Sequence, residues 1–239
     1  MSPDISFFRE AIHPFCVGIL RPLICPLLRS WKNQLVTWTD KMRSFFRGTW
    51  LLSSRQKWND AYRRGRWEGL KDPAEEPRLD AVAMMLRKHA PHARVLEIGC
   101  GEALLQRRLS ATDYTRWAGI DLSDVAIARS QQYAGSGVTY ESGDMLSYKT
   151  DEMFDAILFT ESIYYVPQRD QLIQCYCAFL QPQGVFIVSV HDQACSFQVW
   201  SEVESVLDLI ETVVTENERG QWTCKVLRPR SPVANGSTG

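Results

Sequence analysis

Residues 95–103, Val-Leu-Glu-Ile-Gly-Cys-Gly-Glu-Ala, combine two closely spaced glycines with a carboxylate inside an apolar run. Gly99 and Gly101 lack a Cβ, so the backbone can turn sharply there and approach a ligand closely. A helix predicted to begin at Glu102 would present unpaired N–H groups to that ligand. Glu97 would repel a pyrophosphate and attract an ammonium group. The pattern predicts a binding loop in which backbone donors and a negative charge act together.

The same loop differs from the dinucleotide-binding fingerprint G-x-G-x-x-G. The position three residues after Gly101 is Leu104, so the last glycine of that fingerprint is missing. An oxidoreductase that uses NAD is therefore the weaker alternative, and a purely structural strand–turn–helix is another.

Two further acidic residues follow apolar runs along the chain. Asp121 lies 20 residues after Gly101, where an acid in a doubly wound sheet accepts hydrogen bonds from ribose hydroxyls. Asp144 lies in the turn Glu-Ser-Gly-Asp-Met at residues 141–145. Each has a plainer alternative, because Asp121 could cap a helix and Asp is common in turns.

Together these loops resemble those of the class I S-adenosylmethionine-dependent methyltransferases. Their glycine motif, an acidic residue followed by G-x-G-x-G, is similar to residues 97–103, with Ala103 in place of the last glycine. In that family the acid after the second strand binds ribose, and the acid after the third bonds the adenine amino group. The cofactor-binding residues that the resemblance implies are Glu97, Gly99, Cys100, Gly101, Asp121, Leu122, Asp144, Met145 and Thr160.

Two other segments look like the small-molecule branch of these enzymes, including the nodulation protein S type, which methylates an amine on a sugar oligomer. They are residues 160–167, Thr-Glu-Ser-Ile-Tyr-Tyr-Val-Pro, and residues 58–67, which resemble a segment folded over the cofactor. The resemblance implies methyl transfer to an O or N nucleophile of a small metabolite or glycan-like acceptor. A non-catalytic protein that binds S-adenosylmethionine is the alternative. Residues 160–167 contain no Asn-Pro-Pro-Tyr-like motif, so we expect no nucleic-acid substrate.

Methyl transfer is an in-line displacement, so the protein must align the nucleophile with the methyl group and exclude water. A base is needed only if the nucleophile arrives protonated. His191 could be that base, or could hydrogen-bond loop backbone. Glu161 could bind a substrate amine or stabilise its loop, and Tyr164 could line the acceptor pocket or pack in the core. No metal is required, and the seven cysteines show no metal-ligand spacing. Trp58, Tyr62 and Trp67 could form a lid or a packed helix face.

Beyond residue 79 strand and helix patterns alternate. This predicts a doubly wound, Rossmann-like α/β fold with a mostly parallel seven-stranded sheet, helices on both faces and a C-terminal antiparallel hairpin. Ligands bind beyond the carboxyl ends of the strands in such sheets. The predicted strands are 94–98, 117–122, 138–141, 154–160 and 185–190, with hairpin strands 207–215 and 222–227; the predicted helices are 79–89, 102–109, 125–133, 170–180 and 200–206, with a turn at 181–184.

Charge is distributed unevenly along the 239 residues, although the net charge is only -1. Residues 1–70 hold 12 Lys and Arg against 5 Asp and Glu, a balance of +7. We therefore predict a basic, partly helical extension over residues 1–54, a methyltransferase domain over 55–230 and a disordered tail over 231–239. The extension suits peripheral contact with a membrane or partner, or packing on its own domain. Free thiols predict a reducing, cytoplasmic location.

Overall fold

A computed structural model describes residues 54–193 and 196–230. The partly helical extension predicted over residues 1–54, apart from Ser54, and the disordered tail predicted over 231–239 lie outside the described residues.

Seven strands form one sheet in the order β3-β2-β1-β4-β5-β7-β6. Strands β1 to β5 pair in parallel, whereas β7 is antiparallel to both β5 and β6. The predicted doubly wound sheet with a C-terminal antiparallel hairpin is confirmed. The strands are β1 Ala93–Ile98, β2 Tyr114–Asp121, β3 Val138–Ser142, β4 Phe154–Thr160, β5 Leu180–His191, β6 Leu207–Asn217 and β7 Gly220–Pro229.

Helices pack on both faces because the side chains of a strand alternate between the two faces. Val95 contributes to an apolar cluster that includes Val82, whereas the next residue, Leu96, contributes to a second cluster with Ile173. Ser123 caps a helix as predicted, since its Oγ accepts from the backbone N–H of Ala126 at 3.2 Å. The helices are α1 Arg55–Arg63, α2 Glu76–His89, α3 Asp124–Ser130, α4 Arg169–Cys177 and α5 Ser196–Val206.

Two local predictions are wrong. The helix predicted at 102–109 is a series of turns that ends in a short 3-10 helix, Gln106–Arg108. Ala103 adopts a φ of 62°, which an α-helix does not allow. The turn predicted at 181–184 is instead part of β5, as a bulge between the paired positions Leu180 and Val185.

The topology brings several chain segments to one edge of the sheet. Strands β1, β2, β4 and β5 all end there, and β1 lies between β2 and β4, where the strand order reverses. The hairpin tip reaches the same edge, because Trp222 at the start of β7 pairs with His191 at the end of β5. A ligand-binding site is therefore expected at this edge of the sheet.

Candidate functional site

A cavity of about 490 Å³ opens at this edge, a volume suited to a nucleotide-sized ligand. Gly99, Asp121 and Asp144, which come from three separate loops, converge on it. All twelve site residues predicted from the sequence line it: Glu97, Gly99, Cys100, Gly101, Asp121, Leu122, Asp144, Met145, Thr160, Glu161, Tyr164 and His191.

The glycine loop is shaped by backbone conformation and by close neighbours. Gly99 and Gly101 adopt φ values of 76° and 53°, which disfavour other residues. A Cβ on Gly99 would lie 2.5 Å from the Cβ of Ser162, and a Cβ on Gly101 would lie 2.9 Å from the Tyr62 hydroxyl oxygen. The loop backbone is thus free to line the cavity, and larger residues would collide with the cavity wall.

Asp121 connects two of the loops. One carboxylate oxygen accepts from the Gly101 N–H at 3.0 Å, and the other accepts from the Ser123 N–H at 2.8 Å. Burial raises the pKa of Asp121 to about 6, and the two N–H groups act against that rise. A carboxylate has about four acceptor positions, so the side chain can still accept hydrogen bonds from a ligand.

Glu97 carries a buried carboxyl group whose oxygens are not all hydrogen-bonded. Its Oε2 atom has no hydrogen-bond partner among the described residues, and the side chain is only 2% exposed. Burial raises the pKa of Glu97 to about 8, and the nearby charge of Asp121 contributes to the rise. A cationic ligand in the cavity would stabilise the ionised form, so this residue fits the ammonium group of a methionyl nucleoside.

The third loop presents Asp144 and Met145. Asp144 Oδ1 accepts from the Leu146 N–H at 2.9 Å, and no hydrogen bond to a described residue occupies its Oδ2. Met145 packs against the apolar cluster on the α4 side, and its carbonyl accepts from the Tyr176 hydroxyl at 3.0 Å. The free carboxylate oxygen and the adjacent apolar side chain suit an aromatic ring that carries an amino group.

Aromatic side chains from the α1 region cover one side of the cavity. Trp58 stacks on Trp67 with ring centroids 5.6 Å apart and meets Tyr165 edge-on at 4.9 Å. Asn59 holds α1 against α3, because its Oδ1 accepts from Ser123 Oγ at 2.8 Å. Trp58, Tyr62 and Trp67 all line the cavity, which fits both a lid and a packed helix face.

Glu161 and Tyr164 follow the end of β4 and line the cavity. Glu161 adopts a φ of 55° and accepts from Ser189 Oγ at 2.6 Å and from the His191 N–H at 2.8 Å. Burial raises its pKa. The Tyr164 hydroxyl donates to Glu161 at 3.4 Å. Both carboxylate oxygens therefore connect the ends of β4 and β5.

Each nitrogen of the His191 ring faces a neighbouring residue. Nδ1 lies 2.7 Å from Gln193 Nε2. Nε2 is buried without a partner among the described residues, facing the hairpin, where a Cβ on Gly220 would lie only 2.2 Å away. The ring also packs on Trp222, with centroids 4.9 Å apart. Gln193 thus occupies Nδ1 and Nε2 faces the hairpin, while the residue lines the cavity.

A family model described as Nodulation protein S (NodS) matches residues 63–226. The chain belongs to the nodulation protein S family. Nodulation protein S of Rhizobium tropici is 24% identical over 180 residues, covering 69% of this chain and 74% of that protein. A ubiquinone biosynthesis O-methyltransferase of Xanthomonas campestris is 32% identical over 117 residues, covering 47% of this chain and 48% of that protein.

A solved structure shares the fold of this nodulation protein S family member. The N-methyltransferase NodS from Bradyrhizobium japonicum WM9, in complex with S-adenosyl-L-homocysteine, has a TM-score of 0.61 at 22% identity and covers 69% of this chain and 92% of that one. The prediction of a class I S-adenosylmethionine-dependent methyltransferase with a small-molecule acceptor is confirmed. The alternative of an oxidoreductase that uses NAD finds no support in these matches.

Sequence patterns did not single out two arginines that line the cavity, Arg78 and Arg219. Both bond to Glu75, which immediately precedes α2 and is buried. Arg78 stands on α2 and Arg219 in the hairpin tip, so their meeting depends on tertiary structure. No local signal marks them, because isolated arginines in a helix and a turn are ordinary surface residues.

No helix within residues 54–193 and 196–230 has the length and apolar character needed to cross a membrane. The same residues contain no group of three or more His, Cys, Asp or Glu side chains arranged to hold a metal ion. Cys100, Cys175, Cys177 and Cys224 are free thiols.

Proposed function

We propose that this protein methylates an amine nitrogen on a small, glycan-like acceptor, with S-adenosylmethionine as the methyl donor. The observation that carries the proposal is the convergence of Gly99, Asp121 and Asp144 on one cavity, beside the unpartnered Glu97 oxygen. The nodulation protein S relatives, one of which is described as an N-methyltransferase, support the choice of nitrogen.

We assign each cofactor-binding residue a chemical task. Glu97 neutralises the ammonium group, Asp121 accepts from the ribose hydroxyls, and Asp144 accepts from the adenine amino group. Met145 and Leu122 pack on the adenine and ribose. Gly99, Cys100, Gly101 and Thr160 line the methionyl side of the cavity.

When bound, S-adenosylmethionine supplies a methyl group that its positively charged sulfur makes electrophilic. The protein must then hold the acceptor nitrogen in line with that methyl group and exclude water. Trp58 and Tyr165 close one side of the cavity against solvent. Glu161 and Tyr164 line the acceptor end, where they orient the amine. His191 donates its backbone N–H to Glu161, and we assign it a positioning role.

A neutral amine carries its own lone pair, whereas a hydroxyl must lose a proton during transfer. The two His191 nitrogens face Gln193 and Gly220. A neutral amine needs neither of them as a base, so this arrangement favours nitrogen as the acceptor. The proton released after transfer passes to solvent, or to Glu161 when its carboxylate is ionised.

The experiment is a transfer assay with radiolabelled S-adenosylmethionine. Glucosamine oligomers serve as amine acceptors, and their fully N-acetylated counterparts serve as matched controls without a free amine. We expect label in the free-amine oligomers only. Equal labelling of both sets would indicate hydroxyl methylation, and absence of S-adenosylhomocysteine binding by calorimetry would reject the methyltransferase assignment altogether.

We further propose that the basic extension over residues 1–54 associates peripherally with an anionic membrane or partner in a reducing cytoplasm. Its support is the balance of +4 over residues 1–54, where seven Lys and Arg stand against three Asp and Glu, together with the free thiols of the described cysteines.

A further inference from the structure

Strand β6 leaves one edge of the sheet open. It is last in the strand order, and its eleven residues, Leu207–Asn217, pair only with β7. The backbone groups on its other side have no partner strand among the described residues. Proteins usually protect such an edge with lysine, proline or a bulge. β6 contains no lysine and no proline, and its bulge at Ile210 leaves residues 211–217 regular.

The two faces of β6 differ in what covers them. On one face Glu211 accepts a hydrogen bond from Lys88 of α2 at 2.7 Å. On the other face Thr212, Val214 and Glu216 are exposed, and Val214 keeps 50% of its surface open to solvent. Of the six large apolar side chains that are exposed among the described residues, three lie on this one strand. Such a concentration on an unpaired edge indicates an interaction surface.

The regular part of β6, Glu-Thr-Val-Val-Thr-Glu-Asn, fits an antiparallel copy of itself. With a twofold axis through Val214, the opposed pairs are Val214 with Val214, Thr212 with Glu216, Val213 with Thr215, and Glu211 with Asn217. No two like charges face each other, and opposed side chains share a face of the sheet. An axis nearer the start of the strand includes the bulge in the pairing, and one through Thr212 also opposes Asp208 and Glu216.

The charges beside this edge also complement a second copy. In the pairing centred on Val214, Glu216 of each copy lies across from the Thr212 hydroxyl, which can donate to its carboxylate. The neighbour of Thr212 in β7 is Lys225, which also bonds to Glu204 of α5. Each Glu216 therefore approaches a hydroxyl with a cation behind it, and no carboxylate directly opposes it.

We propose that a second copy of this chain pairs with this edge, so that two seven-stranded sheets join through antiparallel β6 strands centred on Val214. Main-chain hydrogen bonds supply the affinity, and the opposed side chains set the register. Both copies use the same surface, so the association closes as a dimer and leaves no β6 edge free. The pairing holds the same hairpin that contributes Arg219 and Trp222 to the cavity wall.

Sedimentation velocity of the full chain tests the association. We expect wild type to change from monomer to dimer as its concentration rises from about 1 to about 100 μM. Val214→Lys places two like charges opposite each other at the axis and should weaken the dimer about tenfold or more. Met84→Lys is the matched control, because Met84 is equally exposed on α2, and it should leave the dimer unchanged.

Cysteine cross-linking tests the register. Val214→Cys brings two thiols face to face at the axis, with Cβ atoms about 4.5–5.5 Å apart, close to the separation in a disulfide. Mild oxidation should then give a dimer with a 214–214 disulfide, identified by peptide mass spectrometry. Thr212→Cys should not link to itself, but it should link to Glu216→Cys when the two variants are mixed. Wild type carries the same native cysteines and shows their background.

A wild-type chain that stays monomeric throughout this concentration range would overturn the inference. A dimer that Val214→Lys leaves intact, or the absence of the 214–214 disulfide, would do the same. Thermal melting identifies variants that do not fold, and if Val214→Lys is one of them, cross-linking of Val214→Cys carries the test.

Discussion

Burial of carboxyl groups is the main energetic feature of this site at the level of single residues. Glu97 and Asp121 both line the cavity, and burial raises the pKa of each, to about 8 and about 6. Ionising either group in the empty cavity costs free energy, and a bound cation offsets that cost. Ligand affinity and the stability of the empty protein are therefore coupled through the same two side chains.

The pH dependence of stability follows from the sign of these shifts. The ordinary pKa of a Glu is 4.5, and in the folded protein that of Glu97 is about 8. Between these values the unfolded chain loses a proton that the folded chain keeps, so the free energy of unfolding falls as pH rises toward 8. Glu97→Gln should remove this part of the decline. Melting temperatures at pH 5, 6.5 and 8, without ligand, measure it.

We expect Glu97→Gln to melt above the wild-type chain at pH 8 and to differ little at pH 5, while binding S-adenosylhomocysteine about tenfold more weakly. Asp151→Asn removes an exposed carboxylate and serves as the control. Parallel melting curves for wild type and Glu97→Gln across this pH range would contradict the prediction.

Gly101 gives a second prediction at this scale. Its φ of 53° and the 2.9 Å approach of a Cβ to the Tyr62 hydroxyl leave no room for a side chain. Gly101→Val should abolish measurable binding of S-adenosylhomocysteine in calorimetry. Gly135→Ala is the matched control, since a Cβ there meets no atom within 4 Å. Unchanged affinity in Gly101→Val would remove the glycine loop from the binding site.

At the level of elements, the hairpin of β6 and β7 completes the sheet and also contacts other segments through its tip. Its tip carries Arg219, which contacts the segment before α2, and Gly220, which packs against His191. Because β7 is antiparallel to β5, this tip reaches the edge where the parallel strands end. The hairpin thus forms part of the cavity wall, through Arg219 and Trp222.

Gly220→Ala tests that wall. Gly220 has a φ of 141°, and the new Cβ would lie 2.2 Å from His191 Nε2, so the ring must move. We expect a loss of about 1–3 kcal/mol in stability from this overpacking, and reduced methyl transfer with S-adenosylhomocysteine affinity nearly unchanged. Steady-state kinetics and calorimetry measure the two effects separately. Equal loss of both would indicate general damage to the fold.

The attachment of α1 to α3 gives a prediction about the lid. Asn59 accepts from Ser123 Oγ at 2.8 Å and donates to Asp124 at 3.2 Å. Asn59→Ala should weaken this attachment by about 1 kcal/mol, speed the dissociation of S-adenosylhomocysteine and expose α1 to protease. Gln56→Ala, at an exposed position on the same helix, should change neither rate. If dissociation from Asn59→Ala matches that from wild type, α1 does not act as a lid.

At the level of the whole molecule, charge separates a basic N-terminal region from an acidic remainder. The balance is +7 over residues 1–70 within a chain of net charge -1. Anionic surfaces attract clustered basic residues within about a Debye length, and salt screens that attraction. Membrane or partner contact, if it occurs through this region, should therefore be separable from cofactor binding.

Deletion of residues 1–50 tests that separation. We expect nearly unchanged affinity for S-adenosylhomocysteine, because the described residues that line the cavity begin at Trp58. Sedimentation with phosphatidylserine vesicles should decrease relative to the full chain, and vesicles of neutral lipid should retain neither protein. A collapse of cofactor affinity on deletion would make the extension part of the site.

Several parts of the fold could be predicted from the sequence because their causes are local. Strands β1, β2 and β4 each contain a short, largely apolar run, and glycines or turn residues follow them, so their positions were found to within a few residues. The glycine loop was found for the same reason, since a backbone that needs positive φ requires particular residues in sequence. The irregular 102–109 segment was missed because an alanine does not by itself indicate a φ of 62°, although Ala103 stands where the resembling motif has its last glycine.

The sequence by itself therefore determined the order of the strands and helices, the binding loop and the chemical types that line it. Only the tertiary structure decided which of these groups are buried, what they bond and which remain open to a ligand. Arg78 and Arg219 both pair with Glu75, and Gly220 packs against His191. Arg219 and Gly220 are far in sequence from these partners, so no local pattern could have predicted the contacts. Hydrogen bonding and desolvation depend on neighbours in space, whereas strand periodicity and backbone sterics depend on neighbours in sequence.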